Sequence, residues 1–177
     1  QKAGFGSAGW RHTARRQSRL MIDSHCHLDS RVYNHEIEPL LAQAKASGVD
    51  TVVTIGADME SSENVVAIAA KYEMVYGTVG IHPHDASTCD AKAMTRLREL
   101  AKREKIQAIG EIGLDYYRDM SPRPVQKRAF GEQLDLAVEL KMPVVIHTRE
   151  AFEDTLEIIK PYTKNLPGGV FHCFPGN

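Results

Sequence analysis

Short apolar, β-branched runs alternate along this chain with longer stretches whose apolar residues recur every three or four positions. The runs at residues 22–28, 51–56, 75–81, 107–112, 144–147 and 169–174 predict strands, and the stretches at 37–47, 62–72, 91–105, 124–141 and 151–162 predict helices. In the first helical stretch Ile37, Leu40, Leu41 and Ala44 fall on one face. Gly48 follows as a stop, and Ser61 stands as a cap for the second helix. Strand alternating with helix implies βαβ units and a parallel sheet with covered faces. The strands begin about 29 residues apart, so eight such units would take about 235 residues, close to the ~250 of a (β/α)8 TIM barrel. Two architectures suit six strands: an α/β TIM-type barrel truncated after about its sixth strand, or a complete open sheet. The placing of the polar residues favours the truncated barrel.

Composition narrows the class without naming a function. With 42% hydrophobic and 25% charged residues, the chain is neither disordered nor a disulfide scaffold. No run approaches ~18 uninterrupted apolar residues, so no membrane partner is expected. Three cysteines, Cys26, Cys89 and Cys173, are an odd set that suits a reducing, cytoplasmic setting. The net charge of −1 hides an asymmetry: residues 1–20 carry five cations (Lys2, Arg11, Arg15, Arg16, Arg19) and no acid, leaving −6 on residues 21–177. Bulk charge therefore gives no argument for nucleic-acid binding. The leader at 1–20 lacks the apolar core of a secretory signal and any regular period. Its opening resembles a cloning linker, an organellar transit peptide being the alternative. It is expected to be a non-native extension, with the folded part at residues 21–177.

The candidate chemistry sits at strand ends. In Asp23-Ser-His25-Cys-His27 an alternating strand puts Asp23, His25 and His27 on one face. Two imidazoles so spaced can converge on one metal, or form an ordinary hydrogen-bonded pair. Cys26 points the other way and reads as packing. Glu111 lies inside an apolar run, where a carboxylate is costly unless cations or donors meet it. It reads either as a bridge between two metals or as a surface residue. Asp115, further along, is catalytic or a turn residue. His147 and His172 each close an apolar strand. One such histidine would be structural more often than not. His or Glu at the ends of four strands, on the face where barrel sites are built, points to a metal centre.

His82 and His84 flank Pro83 in the loop after the third strand, as substrate contacts, as supports for the ligands, or simply as a polar loop. Tyr116, Tyr117, Arg118, Arg123, Lys127 and Arg128 follow Asp115. They suit phosphates with unstacked bases, or form a solvated loop and helix face. Arg149, beside His147, is a candidate phosphate clamp, because a planar guanidinium can take two oxygens.

The segments Ile22-Asp-Ser-His-Cys-His-Leu-Asp29, Gly80-Ile-His-Pro-His84, Ile109-Gly-Glu-Ile-Gly-Leu-Asp-Tyr116, Pro143-Val-Val-Ile-His-Thr-Arg149 and His172-Cys-Phe174 together closely resemble the TatD-type metal-dependent hydrolases of the amidohydrolase-like barrel group. The resemblance covers residues 21–177. It implies a (β/α)8 barrel with one or two divalent metals (magnesium, manganese or zinc) that cleaves phosphodiester bonds as a 3′–5′ deoxyribonuclease on single-stranded DNA. By motif, His25, His27, Glu111, His147 and His172 are the implied ligands, with Glu111 bridging and catalytic. Arg149 is implied as catalytic and, with His82, His84 and Tyr116, as substrate-binding, and Asp23 as a support for His25 or His27. An amide or ester hydrolase of the same group and a non-catalytic metal-binding remnant are the alternatives. The family's further aspartate, after an eighth strand, has no counterpart here, so impaired catalysis is expected. The edges of a partial barrel lead to an expectation of self-association.

Overall fold

The computed structural model describes residues 21–29, 33 and 36–174. The leader at 1–20 lies outside the described residues. Six strands form one parallel sheet: β1 (Met21–Cys26), β2 (Val49–Ile55), β3 (Val75–Val79), β4 (Ile106–Asp115), β5 (Val144–Arg149) and β6 (Gly169–Phe171). Five helices connect them: α1 (Ile37–Ala46), α2 (Met59–Lys71), α3 (Ala91–Ala101), α4 (Arg123–Leu140) and α5 (Phe152–Ile159). Short 3-10 turns at Pro83–Thr88 and Lys160–Tyr162 complete the chain of elements.

The spatial order of the strands is their sequence order. That order separates the two architectures. Crossovers between parallel strands share one hand, so a strictly sequential order sends every connecting helix to the same face. An open, doubly wound sheet must reverse direction once to cover both faces, and this sheet does not. It is the wall of a TIM-type barrel, curled and left open between β1 and β6. Its edges are correspondingly bare: Ile22 on β1 is 63% exposed and Val170 on β6 is 61% exposed.

The core lies between sheet and helices. Val79, Ile109, Ile112, Leu114, Val144 and Ile146 from the central strands pack with Leu97, Leu100, Phe130, Leu134 and Leu136 from α3 and α4. A smaller cluster joins Leu28, Leu41, Val52, Ile68 and Val75 under α1 and α2. Leu41 is buried, and Ile37, Leu40 and Ala44 flank it on the covered side, as their spacing predicts.

The start of α2 departs from expectation. Asp58, rather than Ser61, is the cap: its carboxylate accepts the Ser61 N–H at 2.7 Å, and the Ser61 hydroxyl accepts the Asp58 N–H at 2.8 Å. This reciprocal box starts the helix at Met59 and puts Ser61 in its first turn.

Two buried glutamines, seven residues apart on one face of α4, tie that helix to the ends of strands. The Gln133 amide accepts the Ile81 N–H at 2.7 Å and donates to the Ile81 carbonyl at 3.1 Å. The Gln126 amide does the same for Asp115, accepting at 2.9 Å and donating at 3.2 Å, and also donates to the Ser121 carbonyl at 2.7 Å. Each side chain thus imitates one rung of a further strand, satisfying backbone groups that the ladder does not reach. Replacing Gln126 with alanine should cost about 1–3 kcal/mol for each buried group left without a partner. Urea unfolding checks this, with exposed Gln43→Ala on α1 as a control expected to stay within about 0.5 kcal/mol.

Candidate metal centre

The C-terminal ends of β1, β3, β4, β5 and β6 converge on one buried carboxylate. Glu111 is only 3% exposed, in the middle of β4. Its Oε1 accepts from His147 Nδ1 at 3.0 Å, and its Oε2 lies 3.5 Å from His25 Nε2. The His25 and His172 rings stack with centroids 3.4 Å apart, although they come from the two open edges of the sheet. The His82 ring meets His147 edge-on at 4.3 Å. Ligating atoms therefore gather in two groups, His25–Glu111–His172 and His82–Glu111–His147, with the atoms of each within 4.8 Å of one another. Glu111 belongs to both.

This donor set fits a divalent cation. His25 Nε2 is buried, faces a carboxylate oxygen and has no hydrogen-bond partner, a costly arrangement unless something positive lies between them. Imidazole and carboxylate donors suit zinc or manganese, and magnesium less well. Gly113 makes the close approach of β4 to β5 possible: at φ +142° a side chain there would place its Cβ 2.0 Å from the His147 carbonyl.

Charge in the cluster is shared unevenly. Burial disfavours ionised Glu111, but the His147 hydrogen bond and the surrounding imidazoles overcome it and hold the group well below the usual carboxylate range. Burial also opposes charge on His147, and hydrogen bonds to Glu111 and Asp115 outweigh it and raise that pKa. For His82, burial together with the His147 charge outweighs the pull of Glu111 and Asp115 and pushes it down to about 3. His172 is lowered by burial and by His25.

Asp115 is the residue whose role the sequence left open. It is 1% exposed at the end of β4. Its Oδ2 accepts from His84 Nε2 at 2.8 Å and from His147 Nε2 at 3.1 Å, and its Oδ1 accepts the N–H groups of Tyr117 and Arg118 at 3.0 and 2.8 Å. Held at Nε2 by Asp115, the His147 ring keeps Nδ1 turned toward Glu111. Carboxylates that grip the far nitrogen of a ligating histidine fix its tautomer and orientation. A carboxylate closing a buried strand was the sequence signal; its partners, His147 on β5 and His84 in the turn after β3, were not visible there.

The remaining expected site residues are placed as follows. His27 lies just past β1 and outside both groups, with its ring 5.3 Å from His25 and its Nδ1 3.1 Å from the Ile55 carbonyl. Asp23 is exposed, and its carboxylate accepts the backbone N–H of His25 at 3.2 Å, a bond to main chain and not to either ring. Cys26 packs away from the centre against the Val53 carbonyl, and burial pushes its thiol up to about 12. His82 caps the 3-10 turn that Pro83 begins, its Nδ1 accepting the His84 N–H at 3.2 Å. Tyr116 is pinned, its hydroxyl bonded to Asp154 and its ring covered by Arg123 at 4.3 Å. Arg149 is exposed and lies over the neighbouring Tyr117. A cleft of about 560 Å³ is lined by Arg149 and Cys173 together with His82, Glu111, His147 and His172.

A barrel-type sheet that carries histidines and a buried carboxylate at its C-terminal face defines the class, a TIM-type barrel with a candidate metal centre at that face. The chain belongs to the TatD-related DNase family, whose model matches residues 22–177. It is 42% identical over 156 residues to the 3′-5′ ssDNA/RNA exonuclease TatD of Cronobacter sakazakii, covering 88% of this chain and 59% of that protein. It is 36% identical over 158 residues to the uncharacterized metal-dependent hydrolase YabD of Bacillus subtilis, covering 89% of this chain and 62% of the relative. The crystal structure of YJJV, a TatD homolog from Escherichia coli K12, superposes with a TM-score of 0.81 at 30% identity, over 88% of this chain and 61% of that one. The chain thus spans about 60% of the length of the curated relatives it matches.

The electrostatics give a prediction for the chain in chelator. A raised folded pKa means that His147 contributes its full stabilisation below its unfolded value of ~6.5, and loses it as pH rises through the folded value. The difference in unfolding free energy between wild type and His147→Gln should therefore narrow from about pH 6 to about pH 9, measured by urea titration. A difference that stays flat or widens contradicts the reading.

Proposed function

We propose that this protein hydrolyses phosphodiester bonds of single-stranded nucleic acid with the help of one or two divalent cations, working from the 3′ end. The observation that carries this is the buried Glu111 carboxylate, with His25 Nε2 facing one oxygen and His147 Nδ1 the other, in a cleft that Arg149 also lines. The names of the relatives, exonuclease and metal-dependent hydrolase, support the same reading.

His25, His27 and His172 would hold one cation with Glu111, and His147 with Glu111 would hold a second. Magnesium, manganese or zinc bound there would lower the pKa of water and neutralise charge on the phosphoryl oxygens. Glu111 is the catalytic carboxylate in the sense that it anchors this charge. The His147 and His25 contacts keep it ionised against its burial. Asp115 positions His147, and Asp23 steadies the backbone at His25. His82 is neutral, with Nδ1 accepting from the main chain, so its Nε2 carries the hydrogen and donates to a phosphate oxygen. His84 stands beside it on Asp115. Arg149 presents its guanidinium edge to the phosphate as a catalytic clamp, and Tyr116 borders the substrate side of the loop.

Location and assembly follow from the same features. Among the described residues no helix is long and apolar enough to cross a membrane. Three free thiols suit a reducing cytoplasm. The bare edges of β1 and β6 favour self-association, since unpaired parallel strands are templates for another chain. Light scattering on the 177-residue chain should therefore show dimers or larger species; a stable monomer contradicts this part of the proposal.

End-labelled single-stranded DNA tests the chemistry. Slow cleavage is expected with manganese or magnesium. It should stop with chelator and fall to background in the His25→Ala/His27→Ala double variant. Cleavage that survives the double substitution, or turnover of a small carboxylic ester without any DNA cleavage, overturns the proposal.

A further inference from the structure

The basic, aromatic loop after β4 is divided by the structure into spent and available groups. Arg123 is paired with Asp119, Lys127 with Asp154, and Arg128 with Glu132. Tyr116 is fixed by Asp154 and Arg123. These side chains hold the loop and α4 together. Arg149, which lines the cleft, and Tyr117 are not tied up in this way. Among the described residues Arg149 has no carboxylate partner, and Tyr117 is 54% exposed. They are stacked on one another, with the guanidinium carbon 3.8 Å from the Tyr117 ring centroid.

We infer that Tyr117 is a nucleobase platform, working with Arg149 as a two-part clamp for one unpaired nucleotide beside the metal centre. This rests on the nucleic-acid reading above and names the residue that would make it selective for unpaired strands. A guanidinium lying flat on an aromatic ring keeps its N–H edge free, so stacking on Tyr117 orients Arg149 to take phosphate oxygens in a fork. Arg149 covers one face of the ring, and the ring's exposure leaves aromatic surface on which a base can stack. A base inside a duplex is already stacked on both sides and is unavailable to such a platform. The mounting is rigid for an exposed loop: the Tyr117 N–H donates to Asp115 Oδ1, the same buried carboxylate whose other oxygen holds His147. The Tyr117 backbone and the His147 imidazole thus share one anchor. Arg118 also lies over the ring, at the longer distance of 5.9 Å from its centroid, and adds a second cation beside the platform.

The test uses the full chain and two hydrolysis-resistant phosphorothioate hexamers, one of thymidine and one abasic, with equal length and charge. Affinities are read by fluorescence anisotropy in manganese and in chelator. Wild type should prefer the thymidine hexamer by about tenfold or more, the scale of one base stacked on an aromatic side chain. Tyr117→Ala should remove the preference by weakening the thymidine hexamer alone, and Tyr117→Phe should restore it. Arg149→Ala should weaken both hexamers alike and flatten the salt dependence. A preference that persists in Tyr117→Ala, or one absent from wild type while both hexamers bind, overturns the platform and leaves the nuclease reading standing. Failure of wild type to bind either hexamer overturns that reading and the platform with it.

Discussion

A negative charge buried in the middle of a parallel strand is the constraint around which this molecule is arranged. Glu111 occupies a position where neighbouring strands supply aliphatic side chains, and a bare carboxylate there would be expelled or protonated. It stays ionised because imidazoles arrive from the ends of other strands. The arrangement of strands, the glycine that lets β4 approach β5, and the turn that carries His82 all serve to deliver those rings. Stability and chemistry are therefore coupled: the groups that make the carboxylate tolerable are the groups that make it useful. Buried charge held this way is a weak source of stability and a strong source of specificity for a cation.

A second layer of organisation lies behind the cluster. Asp115 ties His84, His147 and the start of the next loop to one carboxylate, and Gln126 fixes the backbone of Asp115 itself. Helix α4 thereby sets the height of the end of β4, and with Gln133 also that of the segment after β3. Residues outside the cluster thus decide where its imidazoles stand.

Much of this was legible in the sequence, for physical reasons that differ by level. The six strands showed because buried parallel strands are continuous apolar runs, and polar residues at their ends stood out against that background. The truncated-barrel reading likewise agrees with the sequential sheet and with the family. What stayed hidden was pairing across long separations. Ser61 read as the cap, and the reciprocal hydrogen bonds show that Asp58 takes that place. Arg123, Lys127 and Arg128 suited either phosphates or a solvated loop and helix face, and their carboxylate partners, including Asp154 on α5, were not visible. Of two adjacent tyrosines, the sequence offered no means of telling that Tyr116 is locked and Tyr117 open. Gln126 and Gln133 gave no signal at all, since a helical glutamine is ordinarily a surface residue.

The stacked rings of His25 and His172 have a kinetic consequence. Every strand pairs with its immediate successor, so the sheet can grow by short loop closures, each built on the last. Contact between the first and sixth strands is the exception, because it joins the two ends of the described fold and is available only when the intervening units have formed and curved. An ion held by both rings would bind a finished chain and ignore partly folded ones. Its capture would thus act as a clasp, shifting the folding equilibrium as a whole in proportion to free ion concentration. Fraying of either edge would in turn set how fast the ion leaves.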